Sequence, residues 1–331
     1  MNAPPVLEIS DLAVEFSGRS GSVRAVDGVG FALHAGEILA LVGESGSGKS
    51  VTSLAAMQLL PKPAAKVVSG RAMLGETDLL ALPERDMRAI RGRDLAMIFQ
   101  DPMSALNPVI PVGRQIAEAI ALHQGGDAAS LRQRAIAMLE LVQIPEAARR
   151  IDEYPHQLSG GMRQRVMIAL ALSCGPRVLI ADEPTTALDV TIQAQILALL
   201  ADLRARLGTA ILLITHDLGV VAENADRVVV LYAGRKVEEG PVRAVLGQPL
   251  HPYTAGLLAS MPRLERDQSG ERLREIPGSV PANAAALPGC AFAPRCPLAD
   301  ERCRIERPVL TDHGNGRHAA CWNSDQIGSL G

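Results

Sequence analysis

The stretch Gly43-Glu44-Ser45-Gly46-Ser47-Gly48-Lys49-Ser50 is the part of the chain whose residue types and spacing speak most directly of chemistry. It spells G-x-x-x-x-G-K-[ST], in which glycines let main-chain N–H groups converge on phosphate oxygens. A helix beginning at the lysine turns its positive end toward the same oxygens. Lys49 is then placed to reach the outer phosphates of a nucleoside triphosphate, and the Ser50 hydroxyl to ligate Mg²⁺. At this chain's own residue frequencies about 0.003 such matches arise by accident, and a flexible Gly/Ser turn is the ordinary alternative.

A second candidate lies in Arg177-Val178-Leu179-Ile180-Ala181-Asp182-Glu183-Pro184. A buried strand ending in two carboxylates puts Asp182 beside a Mg²⁺ shell. It puts Glu183 one residue further on, where it can polarise a water attacking a γ-phosphate. Alone, such a pair is more often a solvated turn, and only the upstream loop makes the catalytic reading the better one. His216, in Thr215-His216-Asp217, follows another apolar run. Parallel strands would bring it to the sheet edge that carries Glu183.

The elements that must position these groups are legible in outline. Strand-like runs fall at Leu7–Phe16, Val23–Leu33, Ile38–Val42, Leu95–Ile98, Val178–Ala181, Ala210–Ile214 and Arg227–Tyr232. Helical patterns fall at Lys49–Leu60, Val112–Leu122, Ser130–Val142, Gly161–Leu172 and Thr191–Leu207, with a short one near Thr254–Ser260. Strands alternating with helices predict an α/β fold on a parallel-sheet core, and the early strand cluster adds an antiparallel β layer. Helices dominate from about 101 to 173 and predict a helical subdomain. A boundary is expected near residue 240, with a Pro/Gly/Ala-rich linker leading to a small cysteine module over residues 289–322.

Composition narrows the class. With 331 residues about two domains are expected. The 33 basic and 36 acidic side chains leave a net charge of −3, so no overall field draws the chain to nucleic acid. Aromatics are only 2%, which assigns the core to Ala, Leu, Val and Ile. Mean hydropathy is +0.14, yet the apolar runs are strand-sized and too short to span a bilayer. Met1 to Glu8 shows no basic or long apolar leader, so a cytoplasmic location is expected.

Leu158-Ser159-Gly160-Gly161-Met162-Arg163-Gln164-Arg165 resembles the signature motif of ABC-type ATPases, and it stands in that family's order relative to the phosphate loop, the carboxylates and His216. The resemblance implies that Gln100 is the Q-loop glutamine that senses Mg²⁺ and water. Ala187-Leu188-Asp189 would be the D-loop that crosses to an opposing subunit, and His216 the switch histidine on the γ-phosphate. Phe16 is the expected adenine-stacking aromatic, in place of the more usual tyrosine. Glu183, His216, Lys49 and Gln100 then form the catalytic set. Ser50, Gln100 and Asp182 would hold Mg²⁺, and Ser159, Gly160 and Gly161 would complete an ATP site in a partner. One loop and one signature per chain imply a second nucleotide domain.

Further stretches resemble the ATP-binding subunits of peptide/nickel-type ABC importers. They are Gln100-Asp101-Pro102-Met103-Ser104-Ala105-Leu106-Asn107-Pro108, His251-Pro252-Tyr253-Thr254, Gly278-Ser279-Val280-Pro281, and Gly289-Cys290 with Arg295-Cys296-Pro297. Met162 and the Val-Met-Ile-Ala after it favour the first of the two paired ATPases, and hence a heterodimer. The resemblance implies two transmembrane permease subunits as partners, and indirectly a solute-binding protein. It also implies a peripheral position on the cytoplasmic face of the inner membrane. Cargo, whether dipeptide, oligopeptide, glutathione-like peptide or nickel chelate, stays open. A soluble ABC ATPase acting on DNA or ribosomes is the contrasting class, and it usually has two nucleotide domains or a long coiled-coil insertion, neither visible here.

Four of the five cysteines, Cys290, Cys296, Cys303 and Cys321, lie in the last 42 residues, where even scatter would place about 0.6. In a reducing compartment four thiolates suit a metal better than disulfides. The close C-x₂₋₄-C pairs usual for zinc are missing, although spacing does not exclude zinc. The importer resemblance implies a [4Fe–4S] cluster on these four residues, with His313 and His318 nearby as substitutes.

Overall fold

The computed structural model of the chain describes residues 4–18, 21–100, 105–186, 189–261, 275–281 and 284–330. Asp101 to Ser104 of the Q-loop stretch, and Ala187 and Leu188 of the expected D-loop, lie outside the described residues. Contacts group the chain into two compact units, Met1–Leu7 with Leu33–Glu37 and Ala81–Ile214, and Glu8–Ala32 with Ile38–Leu80 and Thr215–Gly331. The boundary expected near residue 240 therefore separates stretches of sequence and not compact units: the C-terminal extension shares its unit with the phosphate loop.

The first unit is built on three parallel strands. Val178–Asp182 lies between Leu95–Ile98 and Ala210–Thr215, with Leu95 opposite Val178 and Asp182 opposite Ile214. Every residue of these strands is buried, as unbroken apolar runs require in a sheet covered on both faces. Helices Val112–Gln124, Ala128–Leu141 and Gly160–Leu172 pack on one another within the expected helical subdomain. They bury Ile116, Ile120, Ala135, Leu139 and Val166. Asp127 caps the second of them, its carboxylate accepting the N–H groups of Ala129 and Ser130 at 3.0 Å.

In the second unit, Ile38–Val42 runs parallel to Arg227–Tyr232, which pairs antiparallel with Arg235–Pro241. That strand in turn accepts His318–Ala319, so the end of the chain extends the phosphate-loop sheet. Strands Gly21–Leu33, Leu7–Gly18, Ala65–Leu74 and Thr77–Asp78 form a separate four-stranded sheet in that order, its last pair antiparallel. Ala65–Leu74 and Arg235–Pro241 were not legible as strands, because Lys66, Ser69, Gly70 and Arg71 in one, and Lys236, Glu238 and Glu239 in the other, interrupt the apolar alternation. Helix Lys49–Ala56 ends four residues before the expected Leu60, where Gln58 turns to a positive φ of 52°.

The extension is held by a buried polar relay. Glu238, fully buried, accepts the N–H groups of Leu250 at 2.7 Å and His251 at 3.0 Å. Nδ1 of His251 accepts the N–H of Tyr253 and so caps helix Pro252–Ala259. Burial pushes the His251 imidazole down to about 3, so it is neutral in the fold. Unfolded histidine takes a proton below about pH 6.5, so this contribution is complete above that pH and is lost as pH falls toward 3. Between pH 7 and pH 5 the native chain should lose about 2 kcal/mol more stability than His251→Asn, which retains a capping acceptor. Urea melts of both proteins at the two pH values check this.

Candidate nucleotide-binding site

The phosphate loop leaves the buried strand Ile38–Val42 and enters helix Lys49–Ala56 directly. Gly43 has a φ of 153°, and a Cβ there would lie 2.2 Å from the Leu231 carbonyl and 2.6 Å from Ser47 Oγ. Only glycine lets the chain turn that closely against the neighbouring strand. Ser47 N–H closes the next turn onto the Glu44 carbonyl at 3.1 Å. Buried Lys49 folds back along the loop, its Nζ donating to the carbonyls of Gly43 at 2.7 Å and Glu44 at 3.1 Å. Among the described residues the N–H groups of Gly46 and Gly48 have no protein acceptor, and Ser47 Oγ is buried without one. Free donors beside a buried ammonium are the donor set that a phosphate requires.

Glu44 is fixed from the extension, which sequence reasoning did not anticipate. Its N–H donates to Tyr253 Oη at 2.7 Å, and its carboxylate takes a two-pronged pair from Arg295, at 2.7 and 3.0 Å. That pair holds the guanidinium well above its ordinary range. Arg295 also donates to the Pro277 carbonyl at 2.9 Å and to Tyr232 Oη at 3.4 Å. The only sequence signal was that both residues sit inside stretches already noted, His251-Pro252-Tyr253-Thr254 and Arg295-Cys296-Pro297.

The carboxylates occupy the edge where strand Val178–Asp182 ends. Asp182 is 6% exposed. Glu183 stands in the left-handed region at φ 46°, its N–H bonded to the Ile214 carbonyl at 2.9 Å. A glutamate held there costs on the order of 1–2 kcal/mol, a cost often met at functional positions. Its Oε2 accepts Gln100 Nε2 at 2.9 Å and Thr186 Oγ1 at 3.0 Å, which joins two residues assigned to catalysis from 83 positions apart. Gln164, within the signature stretch, reaches the Pro184 carbonyl at 2.5 Å and ties that helix to the same turn.

Ser159 caps helix Gly160–Leu172, its hydroxyl accepting the Met162 N–H at 3.4 Å, and Ser159 and Gly160 are exposed. Asp189 caps helix Val190–Leu207 through Ile192 N–H at 2.9 Å. His216 is exposed just past strand Ala210–Thr215. Phe16 is half-buried in strand Leu7–Gly18. The cavity bordered by Gly46 is lined instead by Ser22 to Ala25, Ala233, Val280, Pro281, Ala284 and Ala286.

The four C-terminal cysteines, all free, line one small pocket with Phe292 and Trp322. Burial pushes the Cys296 thiol up to about 11 and the Cys321 thiol to about 12, and raises Cys290 and Cys303 as well. Among the described residues, no group of three or more His, Cys, Asp or Glu side chains is arranged to hold a metal ion. His313 and His318 are not among the residues lining this pocket, and His313 Nε2 instead meets Thr311 Oγ1 at 3.1 Å.

Fold and site together define a nucleotide-binding cassette. The family model described as "ABC transporter" matches residues 26–186, and that described as "Oligopeptide/dipeptide transporter, C-terminal region" matches 237–303. A probable peptide ABC transporter ATP-binding protein of Sinorhizobium fredii is 53% identical over 98% of this chain and 97% of its own. The oligopeptide transport ATP-binding protein AppD of Bacillus subtilis is 50% identical, covering 98% of both chains. The dipeptide transport ATP-binding protein DppD of Escherichia coli is 50% identical, covering 96% of both. A dimeric ATP-binding cassette solved in a post-hydrolysis state with ADP and Pi matches with a TM-score of 0.63 at 26% identity, covering 72% of this chain and 99% of that one. The chain belongs to the family of ABC transporter ATP-binding proteins.

The loop geometry gives a graded expectation. Gly43→Ala forces a clash with main chain and should cost roughly 2–4 kcal/mol. Gly46→Ala meets no atom within 4 Å and bears only its positive φ of 80°, so it should cost about 1 kcal/mol. Thermal melts of the two variants test the order.

Proposed function

We propose that this chain is the ATP-hydrolysing, energy-coupling subunit of an importer for di- or oligopeptides. The observation that carries the reading is that likeness to peptide-importer ATPases runs through both the cassette and residues 237–303 of the extension. Lys49 and the loop N–H groups would hold the phosphates. Ser50, Gln100 and Asp182 would ligate Mg²⁺, whose charge offsets that building on the β- and γ-oxygens. Glu183 would orient the attacking water, with His216 bracing the γ-phosphate. The Gln100–Glu183 hydrogen bond supports pairing these two in that task. Glu183→Gln should bind ATP with nearly unchanged affinity while turnover in the assembled transporter drops by roughly 100-fold or more. Wild-type turnover in that variant would remove Glu183 from its role.

A second nucleotide domain is needed to complete the site with Ser159, Gly160 and Gly161, and a paired but distinct ATPase is the better assignment than a second copy. Exposed Val190, beside Asp189, supports a face made to be covered. Permease contact is assigned to the helical subdomain, where Val109 and Leu122 stand exposed, with exposed Phe99 just before it. No helix among the described residues is long and apolar enough to cross a membrane. Attachment to the cytoplasmic face of the inner membrane is therefore assigned to the permeases.

The cysteine pocket is assigned to an iron–sulfur cluster. All four cysteines border one pocket and so supply the donor type of a tetrathiolate site, although as they stand they are not arranged around a metal. They would have to lose their protons and draw together around it, because buried thiols with raised pKa values are neutral at pH 7. Bound, such a group would supply a covalent staple for the extension. Anaerobic purification should yield iron and acid-labile sulfide in ~4:4 ratio to protein. Stoichiometric zinc without sulfide, or neither, overturns the assignment.

A further inference from the structure

The phosphate loop carries an acidic residue of its own, Glu44, directly after Gly43. A carboxylate in a loop that must bind a polyanion opposes that binding unless its charge is compensated. The compensating charge comes from 251 residues further along the chain. Arg295, its side chain only 5% exposed, pairs with both oxygens of Glu44 and lies within 6 Å of the Tyr232 and Phe292 ring centres. The paired geometry fixes the plane of the carboxylate as well as its charge.

Tyr253 acts on the same residue from the main-chain side. Its Oη accepts the Glu44 N–H at 2.7 Å, which sets the direction in which the chain leaves Gly43. Tyr253 is fully buried against Tyr232 and Phe292, so the acceptor sits on a rigid support. Independently, Val280, Pro281 and Ala284 of the extension share a cavity wall with Gly46 and Arg24. The extension thus touches the loop at its second residue and borders it at its fourth.

We infer that Arg295 and Tyr253 are positioning residues for the nucleotide site: by neutralising and orienting Glu44, the C-terminal extension sets how tightly the phosphate loop holds a nucleoside triphosphate. The inference rests on the assignment of residues 43–50 as that site. Both side chains act through Glu44 and neither belongs to the groups assigned to the chemical step, so their effect is expected on binding and not on turnover.

The test uses the full chain with a fluorescent ATP analogue and Mg²⁺, and the assembled transporter for steady-state kinetics. Arg295→Met should weaken binding by roughly 10-fold, or ~1.4 kcal/mol, Tyr253→Phe should weaken it by about 3-fold, and Arg295→Lys should recover part of the loss. KM for ATP should rise by similar factors with kcat within about 2-fold of wild type. In a Glu44→Gln background, which has no carboxylate to neutralise, Arg295→Met should have little further effect. Should Arg295→Met fail to fold, Arg295→Lys and Tyr253→Phe carry the comparison. Wild-type affinity in the folded variants, a fall in kcat at constant KM, or additive effects in the double variant would each overturn the role. Absence of analogue binding by the wild-type chain would instead sink the nucleotide site itself.

Discussion

A phosphate loop works only if its main chain keeps a shape that an isolated peptide would not keep, and the rest of this molecule is arranged around that constraint. Gly43 passes so close to the Leu231 carbonyl that no side chain fits. The contact exists because Ile38–Val42 and Arg227–Tyr232 are locked side by side as parallel strands. Lys49 then closes the loop from within, spanning the carbonyls of Gly43 and Glu44. What would otherwise be a flexible Gly/Ser turn becomes a fixed set of donors.

The carboxylate edge solves the complementary problem. Under the proposed mechanism the attacking water is oriented by Glu183, a group that is itself held, at its main chain by Ile214 and at its side chain by Gln100 and Thr186. Its left-handed backbone is kept by a sheet in which Asp182 and Ile214 are register partners. Gln164 connects the same turn to the signature helix, through the carbonyl of Pro184, the residue after Glu183.

The extension is bound by the few aromatic side chains that the sequence contains. Tyr232, Tyr253 and Phe292 meet with ring centres 4.7 to 5.5 Å apart, within an apolar cluster that also includes Val42, Val230 and Val245. Phe292 faces this cluster and also lines the pocket shared by Cys290, Cys296, Cys303 and Cys321. Arg295, one residue before Cys296, reaches from this part of the extension to Glu44.

By itself the sequence determined the local chemistry. Phosphate loop, paired carboxylates and signature stretch are short-range patterns, each depending on residue types within about eight positions of one another, and the crowding of cysteines is legible by count within the last 42 residues. The unbroken apolar runs also determined the buried parallel strands, since only a sheet covered on both faces tolerates them. Tertiary structure alone decided which distant residues complete these patterns. That Glu183 is met by Gln100, that Glu44 is neutralised by Arg295 and bonded to Tyr253, and that the chain's end adds His318–Ala319 to the phosphate-loop sheet have no local signature. Strand Arg235–Pro241 was likewise hidden, because Glu238 and Glu239 read as surface until their partners at Leu250, His251 and Arg227 are seen. A charge can be buried or exposed on the same sequence. Only the fold shows whether its counter-charge and donors are there to meet it.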